Sequence, residues 1–216
     1  MGRYSSAILP VLVLASAISA DAAFARSRLT QDADTLVPIV EASPVLAPFQ
    51  HVRFCLRYPD DCKSNVTENE RIDLSDDTLK LLDHVNRDVN AAINPIAKGY
   101  GSNVQDGWTI SPSMGDCNDY AVTKRHELLQ NGLPAKALRL SVVQTASGIG
   151  HLVLVVVTTK GNLVLDNLTE TIRSWQNTNY RWLKIQSAMD ARFWYEVKAP
   201  NANVSQANRS FRVADR

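Results

Sequence analysis

The sequence has almost no excess of either charge: 23 Lys and Arg face 22 Asp and Glu, a formal net charge of +1. That leaves no electrostatic footprint for a nucleic acid or a strongly acidic partner. Internal repeats and low-complexity tracts are missing, and 45% hydrophobic with 21% charged residues argues against a disordered chain. No stretch is long enough to span a membrane. The longest apolar run, Ala7 to Ile18, holds Pro10 and falls well short of the roughly 20 residues a span requires. Cysteine is scarce, with Cys55, Cys62 and Cys117 alone, an odd number that leaves at least one thiol outside any internal pairing.

What the N-terminus does have is the pattern of an export signal. Arg3 supplies a positive start, Ala7 to Ile18 an apolar stretch, and Ala23-Phe24-Ala25 a small-residue cleavage site. The expected division is therefore a signal peptide over 1–25 and one domain over 26–216; cleavage after Ala22 fits nearly as well. The expected location is the periplasm or the exterior. An oxidising compartment favours a bridge between Cys55 and Cys62, which bracket LRYPDD, over the alternative of two buried thiols. Cys117 is then the free thiol.

Residues 26–48 read as an extended arm, and 49–62 as an aromatic, Cys-containing loop. Ser75 to Ile93 is a predicted helix: Ser75 can cap it, Asp76 and Asp77 suit its positive end, and Leu79, Leu82, Val85, Val89 and Ile93 recur at three and four. Asn94-Pro95 ends it. His84 lies off that stripe and reads as solvated. A turn at 112–115 leads to a second helix, about Asp116 to Gln130, with Ala121, Val122, Leu128 and Leu129 as its apolar side. His126, beside Arg125 and Glu127, reads as a surface residue. Asn131-Gly132 and Pro134 stop this helix.

The period then becomes two. Leu138, Leu140 and Val142 alternate with Arg139 and Ser141, as in a half-buried strand, whereas HLVLVVV from His151 is continuous enough for a central one. Leu163 to Asp166, Arg181 to Ile185 and Trp194 to Val197 are further strands. Helices first, then strands joined by short turns, is an α+β layout with helices packed on a mostly antiparallel sheet. Residues 199–216 are polar and read as frayed.

Cys117 stands where a glycine turn enters a helix, and the positive end of the helix dipole favours thiolate there. Asp116 and Asp119 oppose that effect. His151 opens an apolar strand after a glycine turn, so its ring can face the sheet end. Asp166 closes the next strand, near the start of its antiparallel neighbour. The three types supply a nucleophile, a base and a residue that orients the base. Each also has a plain alternative: a buried thiol, a loop histidine, a turn-forming aspartate.

GDCNDYAVTKRHELLQNGLPAKALRL resembles the nucleophile segment of the transglutaminase-like superfamily, where a Gly-x-Cys turn opens a helix and a Pro-Ala-basic turn leads to a strand. GHLVLVVVTTKGNLVLDNL is similar to the segment in which His and Asp lie on adjacent strands. Phe54-Cys55 with Cys62, Asp106-Gly107-Trp108, the Asp-Cys-x-Asp core and the signal narrow the resemblance to bacterial transglutaminase-like cysteine peptidases, over about Phe49 to Val197. The resemblance implies a papain-like or transglutaminase-like core, with Cys117, His151 and Asp166 as catalytic residues. The Cys117 backbone N–H would serve the oxyanion; Trp108 could add an indole N–H, though packing is the preferred role. The substrate implied is an exported or cell-surface protein. Periplasmic members are calcium-dependent, which marks Asp116, Asn118 and Asp119 as candidate ligands for Ca2+. Asn118 replaces the usual Glu, giving an oxygen without a charge. Two alternatives remain: transglutaminase-type acyl transfer through the same thioester, and a binding module without activity.

Overall fold

The computed structural model describes residues 37–64, 67–96 and 107–198. The signal-like segment, the arm before 37, Asp106 and the polar stretch from 199 lie outside the described residues. Helix α1 is Phe49–Arg57, α2 is Asp76–Ala92 and α3 is Cys117–Gln130. Strands β1 Glu41–Val45, β4 Leu138–Gln144, β5 Gly150–Thr158, β6 Gly161–Leu165, β7 Arg173–Ser174, β8 Arg181–Gln186 and β9 Trp194–Val197 form one sheet, in the order β1-β9-β8-β4-β5-β6-β7. Every pairing in it is antiparallel. The α+β layout is what the sequence pattern predicts.

The Ser75 side chain caps α2 by accepting from Thr78 N at 3.1 Å. Leu82, Val85 and Val89 of α2 are buried. They join Tyr120, Ala121, Val122 and Leu128 of α3 and Leu152, Leu154 and Val156 of β5 in the core between helices and sheet. The opposite face of the sheet packs Val143, Val153, Val155, Val164, Trp175 and Ile185. β5 is thus covered on both sides, which is why its sequence is a continuous apolar run.

Four expectations need correction. The segment 49–62 is helix α1 followed by a 3-10 turn, Pro59–Cys62, and not a loop. Only His51 and Phe54 of α1 are buried, while Phe49, Val52 and Leu56 are exposed, so no core-facing apolar period marks it. Part of the arm is β1, an edge strand paired with β9. Arg139 and Ser141 are buried as deeply as their apolar neighbours, because β4 is central: Arg139 Nε donates to Gln186 O at 2.7 Å and its Nη2 pairs with Glu41. The polar side of α3 is also inside. Arg125 binds the carbonyls of Leu138 (2.9 Å) and Asp61, and His126, half-buried, pairs with Asp61 at 3.0 Å. The bonds to Asp61 tie α3 to the 3-10 turn, whose Cys62 forms the expected disulfide with Cys55 of α1. His84 is exposed, beside Asp88, as expected.

Candidate active site

Cys117 is the first residue of α3, half-buried and free of any disulfide. The turn that delivers it is built from its neighbours. Asp116 caps the helix, its Oδ1 accepting from Asn118 N at 3.0 Å. Asp119 folds back: Oδ2 accepts from Asp116 N (3.0 Å) and Oδ1 from Thr109 N (2.9 Å). This reciprocal pair is a capping box. It requires a glycine at 115, because a Cβ there would lie 2.7 Å from Asp119 Oδ2 and 2.8 Å from its Cβ. β2 (Asn94–Pro95) and β3 (Met114–Gly115) pair in parallel just before the helix and anchor the turn to the end of α2.

His151 is the second residue of β5, which it enters from a tight hairpin with Gly148 at φ +82°. Asp166 lies one residue past β6. Both are almost fully buried, at 6% and 3% exposed, and His151 Nε2 donates to Asp166 Oδ1 at 2.8 Å. The other ring nitrogen is left for the Cys117 thiol, which lies close enough to act on the imidazole. Burial alone would push His151 toward neutrality. The bond to Asp166, the nearby Cys117 thiol and the charges of both outweigh it and raise its pKa to about 9. For Asp166 burial acts upward, but His151, the Leu168 N–H and the Tyr180 hydroxyl hold it below the usual carboxylate range. An imidazolium held by a carboxylate on one side, with a thiol near the other, can stabilise thiolate and pass a proton.

The three residues expected as nucleophile, base and orienter are therefore brought together. Trp108 is buried against His51 and Phe54, which is packing.

Two neighbours of Asp166 were not foreseen. Tyr180 donates its hydroxyl to Asp166 Oδ2 and sets its ring edge against His151, centroids 5.7 Å apart. Lys124, wholly buried, donates to Asn86 Oδ1 at 2.8 Å. Burial lowers its pKa to about 7 against the attraction of Asp166. Nothing in NTNYRW or TKRH marks either residue. The one available hint for Lys124 is its place two helical turns after Cys117, on the same face.

Residues 41–202 match the family of bacterial transglutaminase-like cysteine proteinases. The chain belongs to that family. Its members are cysteine peptidases, and this chain is a transglutaminase-like cysteine peptidase with a protein as its class of substrate. Among solved structures, the peptidase is similar to Legionella pneumophila LapG in its EGTA-treated form, at 22% identity and TM-score 0.48, covering 56% of this chain and 68% of that one. Legionella pneumophila LapG in its calcium-bound form matches at 20% identity and TM-score 0.46, covering 62% and 80%. No curated protein matches.

The expected calcium ligands fit the ion unequally. Asp119 is fully buried, and each of its oxygens already holds a backbone N–H, so it supports the turn from beneath. Asp116 and Asn118 are half-buried. Asn118 Nδ2 donates to Asp116 Oδ1 at 3.0 Å, a bond that uses neither the Asn118 amide oxygen nor Asp116 Oδ2. Those two oxygens suit a hard cation, with a single negative charge between them.

Proposed function

We propose that this peptidase is exported and hydrolyses peptide bonds of an exported or cell-surface protein through Cys117, His151 and Asp166. The observation that carries the reading is the buried His151, bonded to Asp166 at 2.8 Å, with the free thiol of Cys117 close enough to act on its ring. Cys117 Sγ attacks the scissile carbonyl carbon as thiolate. The oxyanion that forms is met by the backbone N–H of Cys117 at the start of α3, where a helix has N–H groups without intrahelical acceptors. Imidazolium then gives its proton to the leaving amine, and the C–N bond breaks to leave a thioester. His151 takes a proton from water as the water attacks, and the thioester collapses to acid and free thiol. Asp166 keeps the imidazole in place throughout.

Met114, Ile149 and Leu168, each within three residues of Cys117, His151 or Asp166, are 55–65% exposed and offer apolar surface to a polypeptide. The signal-like N-terminus over 1–25 and the Cys55–Cys62 disulfide support the oxidising location. Comparison of the exported proteome with wild-type and Cys117→Ala chains tests the function. One or more proteins should be cut only with Cys117 present; an identical cleavage pattern would refute it.

For calcium, the proposal covers the accessible part of the turn: Asp116 and Asn118 hold the ion and Asp119 stays structural. A bound ion would supply positive charge next to the thiolate. With one carboxylate and one amide, affinity should be weak, and Asn118→Glu should tighten it. Titration calorimetry with calcium checks this; no heat from either protein would leave Asp116 as a helix cap only.

A further inference from the structure

Asp166 is a poor candidate for rigidity on its own. It follows the last residue of β6, so no strand ladder fixes it. What holds it is a set of donors. Asn90 Nδ2 binds its backbone carbonyl at 3.0 Å, and Leu168 N binds Oδ1 at 3.0 Å, the oxygen that also accepts from His151. Oδ2 accepts from the Tyr180 hydroxyl.

Topology brings Tyr180 there. Val143 of β4 pairs with His151 on one side and Trp182 on the other, and Gln144 pairs with Gly150 and Arg181. Tyr180, immediately before β8, thus stands at the same end of the sheet as His151. Its segment is braced: Trp175, 2% exposed, donates Nε1–H to Val37 O at 2.7 Å and packs edge-on to Trp182 at 5.6 Å.

We propose that Tyr180 is a positioning residue of this peptidase, clamping the free oxygen of Asp166 while its ring walls one side of His151, so that the carboxylate faces the imidazole in one orientation only. The proposal rests on the triad reading above. Burial, followed by the bond to Asp166, keeps the phenol protonated well above its ordinary range, so it remains a donor wherever the enzyme works. A donor on Oδ2 also draws charge away from Oδ1, which tempers how strongly Asp166 holds the proton of His151. The other groups that act on this cluster are Cys117, Lys124 through Asp166, and Arg173 through Tyr180.

The test is an NMR titration of the His151 imidazole in the full chain, comparing wild type, Tyr180→Phe, and a protein with 3-fluorotyrosine at position 180. The phenylalanine keeps the ring and deletes the donor; the fluorophenol is a stronger donor of nearly the same shape. Tyr180→Phe should raise the His151 midpoint by about half to one pH unit, which is what one hydrogen bond of ordinary net strength is worth. It should also broaden the Nε2–H resonance through faster exchange with water. The fluorinated protein should move the midpoint the other way. A merely structural tyrosine would leave both midpoints at the wild-type value, and that result overturns the proposal. Failure of the triad itself is read separately: His151→Ala would then leave the rate of Cys117 alkylation by iodoacetamide unchanged.

Discussion

Asp166→Asn keeps the volume of the side chain and removes its charge. In the native protein the imidazole pKa stands at about 9 against an ordinary 6.5, even though burial opposes the rise. At about 1.4 kcal/mol per pH unit, the imidazolium is stabilised by roughly 3 kcal/mol, or a few hundredfold in population. Asp166 supplies the first of the upward contributions, by hydrogen bond, and a further one by charge. Its loss leaves Cys117 alone to oppose burial, and the proton affinity of the imidazole falls. Asparagine can in addition donate to Nε2 and hold the ring proton on Nδ1, the wrong nitrogen for a base facing the thiol. The rate of Cys117 alkylation at pH 6–7 should therefore fall by roughly a hundredfold or more. The assay is clean because Cys55 and Cys62 are bonded to each other, so each added label seen by intact mass reports Cys117. A variant that alkylates within about threefold of wild type would refute the claim that Asp166 sustains the imidazolium.

His51 gives a prediction in the acid range. Burial, and secondarily the charge of Arg125, lowers its pKa to about 4, so folding favours the neutral ring. That contribution is complete above 6.5 and is lost as pH falls from 6.5 toward 4, reaching roughly 3 kcal/mol; urea unfolding at pH 7 and 4.5 should show it, and His51→Asn should flatten the slope. Gly115→Ala should destabilise by about 1–3 kcal/mol and slow alkylation, since the new methyl collides with Asp119 and shifts the start of α3. Denaturant midpoint and labelling rate measured together check both effects. Reducing the Cys55–Cys62 bridge, which closes a short loop, should cost about 2 kcal/mol, read as a lower thermal midpoint in dithiothreitol.

The elements legible in the sequence are those whose burial follows one period. Helix α2 is predicted within a residue at each end because a single apolar stripe faces the core and Ser75 caps it. Strand β5 is legible because two covered faces leave no room for polar residues. Helix α1 is not, because the apolar residues on its exposed side break the relation between hydrophobicity and burial. β4 misleads in the opposite sense. Arg139 has the alternation of a solvated residue but is inside, where a carbonyl and Glu41 replace water as partners.

The candidate site divides the same way. Cys117, His151 and Asp166 stand at element boundaries, where a glycine turn or a strand end is visible in the sequence, and their chemical types are informative. Tyr180 and Lys124 have neither advantage. Their relation to Asp166 comes from which strands become neighbours: β8 must lie beside β4, and β4 beside β5, before Tyr180 can reach across to His151. Lys124 needs α2 packed on α3 to meet Asn86. Without that packing a lysine beside an arginine and a histidine reads as a solvated face. The buried charges nevertheless form a consistent set. What makes a carboxylate that is 3% exposed tolerable there is first the bond and charge of His151, then the Leu168 N–H and the Tyr180 hydroxyl.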